Sequence, residues 1–201
     1  YTPPMRTPPL VLLLLAGTAC GRDLPPRFVV ERDVGDFAYR RYQRVLDVEF
    51  PVPENPAEGH TATYVQRTRD GRDVILATAF VTVYEQAPSL SSEVRDRLDE
   101  LGSYDVVVEK NEGEWMWRLD SGELPWLLWV SGRYLVKLGG PPGGAIPEEL
   151  VETYADLYPS DLNEHGRARE GAASHGASAA SDEGEDPELE MPSSLREGAP
   201  Q

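Results

Sequence analysis

The chain has 201 residues, with 19 basic against 35 acidic side chains, a formal net charge of -16 and one cysteine. So acidic a chain opposes nucleic-acid backbones and anionic headgroups, so no nucleic-acid partner is expected. One cysteine and three histidines leave too few ligands for zinc, c-type haem or a Cys-His nucleophile at their usual spacings, so no metal or cofactor is expected, and the length suits one ordinary domain.

The first element in chain order lies at residues 1–19, with a start expected at Met5 after residues 1–4. Met5-Arg6 supplies a basic beginning, residues 10–16 form an apolar run, and Gly17-Thr18-Ala19 precede Cys20. The run falls well short of the ~20 residues that cross a bilayer, and its flanks are those of a secretory signal. Together these residues resemble a bacterial lipoprotein signal, with a degenerate lipobox in which Gly17 stands where leucine is usual. The resemblance implies cleavage before Cys20 and lipidation of its thiol, palmitate included, which would remove an exposed free cysteine. It further implies a partner membrane reached through that lipid, in the cell envelope, and Gly21 points to the outer membrane. Gly17 and Ala19 also suit ordinary signal cleavage, which would leave a secreted or periplasmic protein. Residues 20–36 then form the anchor and a linker stiffened by Pro25-Pro26.

Residues 37–162 carry the apolar periodicity of a folded domain. Leu46, Val48, Phe50 and Val52 alternate with polar residues as in a half-buried strand closed by prolines. Residues 60–67 and 73–85 flank Asp70-Gly71, a type I′ hairpin signal. The second arm is apolar on both sides, which predicts a central strand covered on both faces. Leu90, Val94, Leu98 and Leu101 share a helical stripe ending at Gly102. Strands are expected over residues 104–109, 114–120, 126–130 and 133–138. A second helix follows, with Ile146, Leu150, Tyr154 and Leu157 on its stripe, Pro147 at its first position and Pro159 beyond its end. The fold class is α+β, a largely antiparallel sheet of about five to seven strands packed with two helices. This order of hairpin, helix, meander and closing helix resembles the Mog1/PsbP-type fold, a likeness that implies no function. Residues 163–201 are rich in Gly, Ala, Ser and acid, and are expected to form a disordered acidic tail.

All four tryptophans fall in the two middle strands of the meander. Trp115 and Trp117 share a face with Leu119, and a Glu112-Gly113 turn would set Trp117 opposite Val108 and Leu119 opposite Val106, a core face. A Ser131-Gly132 turn would pair Trp129 with Tyr134 and Trp126 with Lys137, beside Arg133 and Leu135. Trp126, Arg133 and Lys137 are therefore the candidate ligand-binding residues. A cation–π contact, or cover by a helix, is the commoner fate of such a tryptophan. His165 and His175 belong to the tail, leaving His60 alone in the domain, beside a Pro/Glu/Gly-rich loop, where a lone histidine is usually a solvated side chain. No catalytic residue is assigned. The reading is a lipid-anchored envelope protein whose non-catalytic domain binds or scaffolds another envelope protein; the alternative is a secreted or tethered hydrolase using Asp and Glu near His60.

Overall fold

The computed structural model describes residues 23–67, 74–122 and 124–170. Its elements are β1 (Ala38–Val45), β2 (Ala57–Arg67), β3 (Val74–Tyr84), α1 (Leu90–Leu101), β4 (Asp105–Asn111), β5 (Glu114–Asp120), β6 (Pro125–Ser131), β7 (Tyr134–Gly139) and α2 (Glu148–Leu157). The strands form one seven-stranded sheet in the order β1-β2-β3-β7-β6-β5-β4, antiparallel at every junction. The fold is thus α+β, as the periodicity predicts. Helix α1 carries the chain from β3 to the far edge, and the meander from β4 returns to pair β7 with β3.

Several local readings hold. Gly102 caps α1 at φ 57° with its N–H donated to Leu98. Glu112 and Gly113 both take positive φ between the paired Asn111 and Glu114, the type I′ pattern, and Trp117 and Leu119 face Val108 and Val106. The β2–β3 hairpin pairs as far as Arg67 with Val74, while Asp70-Gly71 lie outside the described residues. Cys20 and the acidic run after residue 170 lie outside them too. Pro147 is the N-cap of α2 rather than its first residue.

The first strand differs. Residues 46–52 form a loop, with Leu46 78% exposed and Val52 bridged only to Asn55. Pro51 and Pro53 lack the N–H that a ladder needs. The strand is instead Ala38–Val45, whose polar sequence suits a sheet edge. The alternation still reports burial, since Phe50 is packed inside.

Pairing sorts the sheet into two faces. His60, Ala62 and Tyr64 of β2 lie beside Val81, Ala79 and Ala77 of β3, and beyond them Val136 and Leu138 of β7. All are buried. This face is covered by α2 and by the N-terminal segment that holds Phe28, Val29 and Val30. The Tyr158 ring lies 5.2 Å from that of Tyr134, and Trp129 donates its indole N–H to the Tyr158 carbonyl at 2.7 Å.

A closed hydrogen-bond circuit fixes that cover. The Val30 N–H donates to the Tyr154 hydroxyl at 3.0 Å, and the Tyr64 hydroxyl donates to the Val30 carbonyl at 2.6 Å. The two hydroxyls are 2.8 Å apart. Tyr64 has spent its proton on Val30, so Tyr154 donates to Tyr64, and every polar atom in the ring of three residues is satisfied. Burial raises both phenol pKa values, that of Tyr154 to about 12, which keeps the protons the circuit requires.

On the opposite face α1 packs against β6, burying Leu90, Val94 and Leu98, while Trp117, Leu119, Leu128 and Val130 are buried beneath. The domain also runs past the expected boundary at residue 162. Asn163 accepts backbone N–H groups from His165 and Arg167, and Leu162 bridges Ala168. Arg169 reaches back to the Leu162 carbonyl and to Glu114, each at 2.7 Å. Residues 163–170 are held by turn chemistry and ion pairing, which an apolar-periodicity argument does not register.

Replacing Tyr64 by Phe opens the circuit, leaving the Val30 carbonyl and the Tyr154 proton without partners. Tyr64→Phe should cost about 1–3 kcal/mol in urea unfolding. Adding Tyr154→Phe should cost less than the sum of the two single changes, because both act on one network.

Candidate functional site

The β6–β7 turn decides where the sequence-predicted residues go. Ser131 pairs with Tyr134, so the two turn residues are Gly132 and Arg133 rather than Ser131 and Gly132. Only Gly132 of the two has positive φ, the glycine-first pattern of a type II′ turn, whereas the expected turn would have made Ser131 its first residue. The register therefore moves by two residues, setting Leu128 opposite Lys137 and Trp126 opposite Gly139. A shift of two preserves facing, so Trp126 and Lys137 still share a side. Arg133 is lost from the trio. It sits in the turn at the other end of the strands, its guanidinium 5.6 Å from the Tyr134 ring.

Lys137 is buried, its Nζ 2.6 and 2.8 Å from the Glu49 carboxylate oxygens and 3.3 Å from the Tyr104 hydroxyl. The same ammonium lies 4.2 Å from the Trp126 ring centre. A cation–π contact is thus the environment of this tryptophan. Its ring also lies over Gly139, where any Cβ would strike it. Burial pushes the Lys137 pKa down while Glu49 opposes the shift. Burial, aided by Glu49, raises Tyr104 to about 12. The cluster fastens the β1–β2 loop, through Glu49 and Phe50, onto the sheet.

His60 is a buried strand residue of β2, not a solvated loop histidine. Its Nδ1 lies 3.0 Å from the Tyr42 hydroxyl, its ring centre 4.8 Å from that of Phe28, and its Nε2 3.5 Å from Glu58. Glu58 is also paired to Arg44. Burial lowers the His60 pKa and outweighs the opposing Glu58 carboxylate. The sequence hid this residue because the loop ends earlier than its composition implies, at Ala57.

The feature that periodicity missed is an uncovered half-face. Strand β3 was expected to be covered on both sides, but beyond β7 the face that bears Lys137 is covered, among the described residues, only at its Glu49 end by the β1–β2 loop. Leu76 is 48% exposed there, and Thr63, Val65, Thr78 and Phe80 are only half-buried. This open groove of about 520 Å³ is continuous, through Val45, Thr61 and Phe80, with a pocket of about 100 Å³ that ends at Glu49 and Lys137. Thr61, at the junction, has a buried hydroxyl with no hydrogen-bond partner among the described residues. The legible signal was the set of threonines on this side of β2 and β3, facing away from the alanines and Tyr64.

Among the described residues no group of three or more His, Cys, Asp or Glu side chains could hold a metal ion, and no helix is long and apolar enough to cross a membrane. No family model matches the chain, and no curated protein or solved structure matches it either.

Two outcomes follow from the burial pattern. Trp117 is fully buried and Trp126 half-buried, so Trp117→Ala should cost roughly 3–5 kcal/mol and Trp126→Ala clearly less, read as shifts in urea midpoint. His60 has its pKa lowered from 6.5, so the unfolded chain binds the extra proton first. Stability contributed by neutral His60 is complete above that value and is lost as pH falls through the interval below it. His60→Gln should flatten the urea-midpoint profile below about pH 6.5.

Proposed function

We propose that the protein is a lipid-anchored envelope protein whose domain binds another envelope component, without catalysis, through the open groove on β1, β2 and β3. The observation that carries this reading is the half-face itself. Where α2 and the N-terminal segment pack the other face of β2 and β3, this one leaves Leu76, Val65 and Phe80 accessible, and a contiguous apolar area rimmed by polar groups is a common mark of an interaction surface. The signal-like residues before Cys20 support the anchor, and Gly21 supports outer-membrane sorting. The Trp126–Lys137 pair serves this face indirectly, by pinning the loop that borders its deep end.

The anchor is tested by mass spectrometry of the mature N-terminus, which should show cleavage before Cys20 and acyl chains on it. Cys20→Ser should move the protein from the membrane to the soluble fraction; an unmodified or unchanged N-terminus would refute the anchor. The face is tested with a photo-crosslinking residue in place of Leu76. It should give one discrete adduct in intact envelopes, whereas the same residue in place of Val107, 57% exposed on β4 at the opposite edge, should give none.

A further inference from the structure

Resting on the binding role just proposed, we propose that the occupant of the groove is an extended, acidic segment of a polypeptide partner, which adds as a strand along the free edge of β1.

Charge is the first argument. The ionisable side chains that line the groove are Arg40 and Arg41, in a chain whose net charge is -16. Neither forms an ion pair with a described residue, whereas Arg44, three residues on, is neutralised by Glu58. The second argument is backbone geometry. Consecutive residues of a regular strand point to opposite faces, yet Arg40 and Arg41 both line the groove. The register of β1 against β2 slips between Tyr39 and Arg41, and this irregularity at Arg40 is what permits it. Bulges that re-aim side chains in this way are frequent beside functional sites and on edges.

The partner's form follows from the edge. Strand β1 is the last of the sheet, so its outward N–H and C=O groups face no strand among the described residues; apart from the Tyr39 N–H, which donates to Asp33 Oδ1 at 2.8 Å, a second backbone would supply them with matching donors and acceptors. An extended segment would set alternate side chains over the groove, apolar ones toward Val65, Leu76 and Phe80 and acidic ones toward the arginines. The unpartnered Thr61 hydroxyl, buried where the groove deepens, is a further polar group for it to engage. A nucleic acid would meet the same arginines, but neither the apolar floor nor the backbone edge suits it, and the chain's net charge repels it.

The full chain in detergent can be titrated against a fluorescein-labelled peptide of five Glu-Val repeats, followed by fluorescence anisotropy. Binding is expected, with none of the matching Lys-Val peptide. Arg40→Glu combined with Arg41→Glu should weaken it roughly tenfold or more. Both arginines are exposed, so that variant should keep the parent's urea midpoint. Equal binding of the two peptides, no binding of either, or indifference to the double change overturns the inference. So does a dimer in sedimentation that the double change dissociates, which would give the face to a second copy of the chain. If the Leu76 crosslink forms in envelopes while the Glu-Val peptide does not bind, the acidic partner is refuted and the binding role survives; if the crosslink also fails, both fall.

Discussion

A seven-stranded sheet has two faces, and the chain supplies two helices to cover them. Six inter-strand spacings of about 4.8 Å make the sheet roughly 29 Å wide, while a helix with its side chains spans about 10–12 Å. Neither face can be closed by one helix. The rest of the architecture answers this deficit. Beside α2, the segment holding Phe28, Val29 and Val30 lies against β2 and β7 and extends the cover of one face. Beside α1, the β1–β2 loop and residues 163–170 extend the cover of the other, the latter bringing Gly166 against Trp117 and Val108. The open side of β1, β2 and β3 is left, as is the β4–β5 end of the α2 face, where Val107 is exposed.

Cover made of loops needs stronger fixing than cover made of helices, because a loop buries backbone groups that have no internal partners. The N-terminal segment and the β1–β2 loop are accordingly fastened by polar side chains from the sheet and from α2 and its C-cap. Tyr64 and Tyr154 close a ring with the backbone of Val30, and Tyr158 donates its hydroxyl to the Phe28 carbonyl at 2.6 Å. Tyr84 donates to the Phe50 carbonyl at 2.7 Å, and Lys137 holds Glu49. The buried Lys137–Glu49 pair need not add net stability, since desolvation offsets its attraction. Its effect is to define where the loop lies, and with it the end of the groove.

The sequence was most legible where local chemistry and burial agree. Glycines that take positive φ gave the end of α1 and the β4–β5 turn, and with that turn the facing of Trp117 against Val108. Strand β1 was opaque because an edge strand with arginines on it buries little, so its alternation carries no apolar contrast. Residues 46–52 misled for the opposite reason. Alternation records burial of Phe50 and Val52, but the ladder is a backbone property that the prolines deny. The β6–β7 turn was ambiguous between two registers that leave Trp126 and Lys137 on the same face, so parity alone could not decide the fate of Arg133. The groove was hidden because a run such as that of β3 tells only that both sides are compatible with burial. Which side stays open depends on how far the loops reach, a property of the whole chain.

The two arginines of the groove act against the charge of the protein that carries them. At long range the net charge of -16 repels an acidic segment, although at physiological ionic strength that repulsion fades beyond about 8 Å. Within that distance Arg40 and Arg41 line the groove, and neither is ion-paired with a described residue, so both can form charge-assisted hydrogen bonds. An acidic partner would thus be retained by short contacts rather than steered from afar, so its selectivity would reside in dissociation more than in encounter. Confinement to a membrane surface suits such an arrangement, because two tethered components meet at high effective concentration and need no steering field. On the proposed reading, the anchor and the charge pattern of the groove would be complementary: tethering would supply the encounter, and the bulged edge of β1 the hold.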